Sequence, residues 1–177
     1  MEYSFFLLST LIFSVTLIIL FFSKKHVENA ETKIFSIALL VNLFGILIEL
    51  TCKFLIFSLG NENIVIFIAI RLYLLYLLSF IYIMSYYIYY INYEKDNKIP
   101  LLSKNFYTFL YIIVALTTVV SPFSIEKGYS TGIAVNITYG YAIFNMVIWL
   151  IIIFNNFNKE KMSKNFPLLC LIVLSGI

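Results

Sequence analysis

Charge is the first thing this sequence has little of. Of 177 residues, 12 are Lys or Arg and 9 are Asp or Glu, 12% in all, where a soluble domain carries about 25%. A nucleic-acid surface is excluded, because the lysines stand in short separate clusters and no basic stripe runs through them. Histidine occurs once, as His26 beside Lys24 and Lys25, and with no second ligand or nucleophile near it reads as a solvated loop residue. Cysteine occurs twice, Cys52 and Cys170, each within an apolar run and outside any C-x-x-C spacing. Metal and redox sites are therefore excluded, and each thiol reads as a small packed apolar group. No Walker A loop, GxSxG, HExxH or catalytically spaced carboxylate pair is present, so neither an active site nor a cofactor is expected within this stretch.

Apolar residues fill the space that charge leaves. They make up 62% of the chain and the mean hydropathy is +0.98. Apolar runs of about 18 residues or more mark membrane spans, and the expected fold is an all-α bundle of about six transmembrane helices in one domain. The spans read as Tyr3–Phe22, Ile34–Ser58, Ile64–Ile91, Tyr107–Ser121 and Tyr139–Phe157, with a sixth run opening at Pro167 and interrupted at Ile177. The first is too long for a signal-peptide core, and Ser23-Lys24-Lys25 follows it in place of a cleavage site. The connection Leu59–Asn63 is short enough to make spans two and three antiparallel neighbours. Phe123–Thr138, with Gly128 and Gly132, reads as a structured outer loop.

Lysine placement predicts orientation. Lys24, Lys25 and Lys33 occupy the first loop, Lys95, Lys98 and Lys104 the third, and Lys159, Lys161 and Lys164 the fifth. The second loop carries none and the fourth only Lys127. The odd loops are thus expected in the cytoplasm and the N-terminus outside, in a multi-pass protein of the cell membrane. Seven spans with a cytoplasmic C-terminus would complete the pattern, since the final 11 residues are too few to cross a core of about 30 Å.

Charges inside a span cost about 2.5–3.5 kcal/mol at a helix centre, which singles out Glu49, Lys53 and Arg71. Glu49 and Lys53 stand at i, i+4 with the acid first, the favourable order for an ion pair. Asn42, Gly45, Glu49 and Lys53 share one helical stripe. The helical rise places Glu49 about 13 Å and Arg71 about 10 Å below the outer ends of their spans, so a Glu49–Arg71 pair is expected across the hairpin. Two readings stay open: a polar pocket lined by Asn42, Glu49, Lys53 and Arg71, or a buried pair that sets helix register, with Lys53 snorkelling to the headgroups. Span three is rich in tyrosine, and Tyr86–Tyr93 reads as an interfacial aromatic belt. Asn145 reads as an interhelical hydrogen-bonding group. Asn136-Ile137-Thr138 matches the glycosylation sequon.

Two stretches carry a resemblance. His26-Val-Glu-Asn-Ala-Glu-Thr-Lys-Ile-Phe, running into Leu39-Leu40-Val41-Asn42 and Ile46–Glu49, resembles the pattern E-x-K-I-[YF]…L-L-I-x-N-x-x-G-x-x-[LI]-[DE]. Gly128-Tyr-Ser-Thr-Gly-Ile-Ala-Val-Asn-Ile-Thr-Tyr resembles Y-S-Y-G-x-A-V-N-x-[TV]-Y, with Thr131 in place of the second aromatic. Both patterns belong to the N-terminal sensor module of membrane-bound histidine kinases of low-GC Gram-positive bacteria (Firmicutes) with a GHKL-type ATPase, and of GGDEF relatives. The resemblance implies a six- to seven-span input module of a two-component system, with its phosphoacceptor His and ATP-binding residues beyond Ile177. It also implies a homodimer, although no small-x-x-x-small face supports one. The partners expected are the lipid bilayer and an extracellular or membrane-borne ligand, with Gly128, Tyr129, Gly132 and Asn136 as candidates for outer-loop sensing. Two further readings of the residues are a small transporter or its substrate-binding subunit, and a membrane scaffold.

Overall fold

The computed structural model describes residues 2–23, 29–59, 63–93, 102–126 and 129–156. Within them the chain forms five helices and one short hairpin: α1 (Glu2–Ser23), α2 (Ala30–Leu59), α3 (Ile64–Asn92), α4 (Lys104–Val120), β1 (Ser124–Glu126), β2 (Tyr129–Thr131) and α5 (Ile133–Asn155). Three of the helices, over Ala30–Ser58, Ile64–Asn92 and Ile133–Asn155, are long and apolar enough to cross a membrane. At about 1.5 Å per residue α2 and α3 each reach about 44 Å, well past a core of about 30 Å. His26, Lys95, Lys98, the lysines of the fifth loop, Cys170 and the sixth run lie outside the described residues, whereas Lys104 opens α4.

Polar caps set where the helices begin. Asn29 Oδ1 accepts from the Thr32 amide at 2.8 Å, which starts α2 one turn before the expected Ile34 and brings Lys33 into the helix. Asn63 caps α3 by accepting from the Val65 amide at 2.9 Å, and Ser103 caps α4 through the Phe106 amide at 3.3 Å. A side-chain oxygen at each position satisfies an amide that the first turn leaves orphaned. Pro122 disfavours helical backbone at the residue before it, and Ser121 is accordingly extended at φ −67°, ψ 143°.

The helix α3 is the hub. It packs on α2, α4 and α5, α4 packs on α5, and α1 lies chiefly against α2. Two apolar clusters are threaded on it. One joins Cys52, Ile66, Ile70 and Leu74 to Ala134 and Val135 of α5; the other joins Met84 and Ile88 to Tyr107, Ile148, Trp149 and Ile152. A buried polar clasp joins α3 to α5 beside the second cluster. The Trp149 indole donates to Ser85 Oγ at 2.9 Å, Ser85 Oγ lies 2.9 Å from Asn145 Oδ1, and Asn145 Nδ2 donates to the Tyr141 carbonyl at 2.8 Å. Lipid offers such groups no partner, so they meet one another across the helix interface. The outer faces are apolar: Ile12, Phe44, Phe57, Ile64, Leu116, Val120, Ile143 and Phe154 are all largely exposed. Helices of this length with faces of this kind belong to a membrane protein.

The expected outer loop is shorter than Phe123–Thr138. Ser124 pairs with Thr131 and Ile125 with Ser130 in an antiparallel hairpin, and α5 begins directly after it at Ile133. Gly132 makes the turn at φ +114°, a conformation L side chains rarely adopt, and a Cβ there would meet Phe123 Cα at 3.0 Å. The Ala134 amide then bonds the Pro122 carbonyl at 3.2 Å. Asn136 is therefore an exposed residue of the first turns of α5 and not of a loop. The β-branched run Ile133, Val135, Ile137 and Thr138 has weak intrinsic helix preference, and the burial of Ala134 and Val135 against α3, with that of Thr138, overrides it.

Candidate functional site

The stripe on α2 faces a cavity. Asn42, Ile46, Glu49 and Lys53 of α2, Leu7 and Thr10 of α1, and Tyr73, Tyr76 and Leu77 of α3 enclose a partly open space of about 340 Å³. A volume of this size suits a small-molecule site. Positions 42, 46, 49 and 53 are spaced by three or four, as one helix face requires. Tyr73 and Tyr76 form the opposite wall by the same rule, their ring centroids 6.0 Å apart.

Gly45 brings those walls together. A Cβ built on it would fall 1.7 Å from Tyr76 Cζ, so the tyrosine ring occupies the place of the missing side chain against α2. The ring carries its hydroxyl to Asn42, donating to Oδ1 at 3.4 Å, while Asn42 Nδ2 lies 3.4 Å from Ser14 Oγ on α1. One asparagine thereby spans the three helices that frame the cavity. Both contacts are at the long limit of a hydrogen bond, and they leave the cavity's polar edge able to adjust.

Glu49 and Lys53 meet at 3.4 Å, with side chains 30% and 39% exposed respectively. An i, i+4 pair at this exposure contributes only about 0.3–0.5 kcal/mol, so it is better suited to exchange partners than to hold the fold. The acid is the deeper of the two by one turn, about 6 Å along the helix. Lys53 stands at the rim, where a long side chain extends outward most easily.

Arg71 does not join this pair; the expected approach to Glu49 is replaced by another contact. Two positions along α3 from Tyr73, it faces the opposite way and reaches the end of α4. Its guanidinium donates to the carbonyls of Thr118, at 2.9 Å, Val119 and Ser121, at 3.2 Å, and lies 5.1 Å from the centroid of the Phe123 ring. The reason lies in the length of α4. Its 17 residues span only about 26 Å, less than the hydrocarbon core, and its last carbonyls have no partner within the helix. An arginine, with five donors and a permanent charge, satisfies several of them at once and complements the negative end of the helix dipole.

Of the candidate outer-loop residues, Tyr129 contributes backbone to β2, Gly132 shapes the start of α5 and Asn136 is exposed on α5, while Gly128 lies outside the described residues. A second cavity of about 170 Å³, lined by Phe21, Glu31, Thr32, Phe35 and Tyr87, lies at the other end of α2. Among the described residues no group of acidic, histidine or cysteine side chains has the spacing to hold a metal. Cys52 is buried in its apolar cluster.

Sequence reasoning reached Asn42, Glu49 and Lys53 by their periodicity and missed the opposing wall. Tyr73 and Tyr76 were submerged in a tyrosine-rich helix, but their own i, i+3 spacing opposite Gly45 is the signal that marks them. The chain matches no known protein family, no curated protein and no solved structure.

Proposed function

We propose that this chain is the membrane-embedded input module of a bacterial signal-transduction protein, most specifically of a two-component sensor histidine kinase. It lies in the cell membrane as a multi-pass protein with its N-terminus outside, in contact with the bilayer and, in the working protein, with a second copy of itself. The cavity framed by α1, α2 and α3 is the ligand site, and the observation that carries this reading is the gathering of Asn42, Glu49, Lys53, Tyr73 and Tyr76 around it. In the proposed orientation it opens in the outer half of the membrane, where an extracellular or membrane-borne ligand would arrive. The two sensor-like stretches of sequence support the signalling role. The α1–α2–α3 side, which holds the cavity, and the α3–α4–α5 side, which holds the buried polar clasp, are two regions whose relative placement a ligand could bias by binding one arrangement better.

The test is autophosphorylation. The complete gene product in membrane vesicles should incorporate label from radiolabelled ATP, and Glu49→Gln should change that rate without lowering the amount of protein inserted. If no nucleotide-dependent labelling occurs and the vesicles instead accumulate a small solute through the protein, the transporter reading replaces this one.

A further inference from the structure

We infer that the α1–α2–α3 cavity binds an amphiphilic organic cation, its ammonium head on the Glu49 carboxylate and against the Tyr73 and Tyr76 rings. This rests on the cavity being the ligand site proposed above, and it names the chemical class that site accepts.

Three observations select a cation. The first is which charge stays. Glu49 is the deeper and less exposed member of the pair, and its short side chain keeps the carboxylate in the cavity. Lys53, one turn nearer the end of α2, can carry its ammonium toward the headgroups. The group that can leave is the positive one, so the group that can replace it is another cation. The second observation is the aromatic wall. Tyr73 and Tyr76 line the same cavity as Glu49, and a carboxylate facing aromatic rings is the chemistry that recognises ammonium and quaternary ammonium groups. The third concerns the alternative ligand. An anion would need fixed positive charge, and Arg71 is committed to the carbonyls of Thr118, Val119 and Ser121 at the end of α4. Among the described residues Lys53 is then the one cation in the lining, and Glu49 beside it repels an anion. The remaining lining explains the tail. Leu7, Ile46 and Leu77 provide apolar surface within the same cavity, and removing a short alkyl chain from water onto that surface favours binding.

The chain in lipid nanodiscs, titrated with hexyltrimethylammonium, hexan-1-ol, hexanoate and 6-aminohexanoate, tests the inference by equilibrium dialysis against empty nanodiscs. Hexyltrimethylammonium should bind saturably and about tenfold or more tighter than the other three probes. Glu49→Gln should weaken it about tenfold, the scale of one lost charge-assisted contact. Lys53→Met should strengthen it several-fold, because the competing ammonium is gone. A purely structural pair predicts the opposite for Lys53→Met, since that substitution would strand a carboxylate and loosen the site. Tyr73→Phe should bind as the native chain does, and Tyr73→Leu more weakly. Tighter binding of hexanoate or of 6-aminohexanoate overturns the inference, as does cation binding indifferent to both Glu49→Gln and Lys53→Met. Cation binding without autophosphorylation of the gene product would keep the ligand class and reject the signalling role. Autophosphorylation without cation binding would do the reverse.

Discussion

The helix α3 divides the molecule into two unlike halves. Toward α4 and α5 its polar side chains are engaged: buried Ser85 with Asn145 and Trp149, half-buried Arg71 with the end of α4, and half-buried Ser79, whose Oγ lies 2.9 Å from the Tyr111 hydroxyl. Toward α1 and α2 it meets a cavity, a half-exposed ion pair and hydrogen bonds of 3.4 Å. Both halves contain one strongly charged intramembrane feature, and the contrast lies in how each is used. Arg71 meets backbone carbonyls that cannot move away without unwinding a helix. Glu49 meets a flexible amine that can. Charge committed to backbone holds a fold, whereas charge opposed to another side chain remains available for exchange.

Substitutions can break this contrast, and the largest effect is expected where the two halves meet. Gly45→Leu places a side chain inside the Tyr76 ring and should lower stability to thermal unfolding in mild detergent by about 3 kcal/mol, the upper part of the usual cost of overpacking. Adding Tyr76→Ala should recover most of that loss, and if it does not, the close approach of α2 to α3 is not what the glycine serves. Next comes Arg71→Met, expected to cost about 2 kcal/mol by leaving the α4 carbonyls without donors. Hydrogen exchange should then accelerate at the Ser121 amide, which bonds the Thr117 carbonyl at 2.9 Å, ahead of amides in α2. Protection that falls uniformly would mean that Arg71 serves the whole bundle and not this helix end.

Trp149→Phe should cost about 0.6 kcal/mol and at most about 1.7 kcal/mol, the average and the maximum measured for hydrogen bonds within a membrane bundle. Combined with Ser85→Ala it should add little more, because the two residues share one network. Simple additivity of the two losses would show that the clasp is not a unit. Glu49→Gln should be the smallest, within about 0.5 kcal/mol of the native chain, although it is the substitution expected to change ligand binding and signalling most. A large loss of stability there would move Glu49 from the ligand site to the fold.

The helices themselves were legible because hydropathy is a local property. α1 and α3 fall within two residues of the spans read from sequence. The errors lie where a distant group decides. Asn29, a loop residue by composition, extends α2 by a turn through its cap. Ile133–Thr138 reads as loop after two glycines and is helix because Ala134, Val135 and Thr138 are buried. Of the candidate site, the α2 stripe was readable from spacing alone. The partner of Arg71 was not, since backbone carbonyls belong to every residue and leave no mark in a sequence; only the shortness of α4 hinted that its end would need a donor. The α1 contribution, Leu7 and Thr10, had no signal among twenty residues of similar character.

The ring of Tyr76 resting on bare backbone at Gly45 also bears on how this chain can diverge. Neither position can drift alone: a larger residue at 45 collides with the ring, and a smaller one at 76 opens a gap against α2 and removes the hydroxyl that reaches Asn42. Among diverged copies of this chain, the two positions should therefore change together or stay as they are. A chain that keeps glycine at 45 and tyrosine at 76, whatever has become of Glu49 and Lys53, keeps the frame of the cavity and is free to change what it accepts.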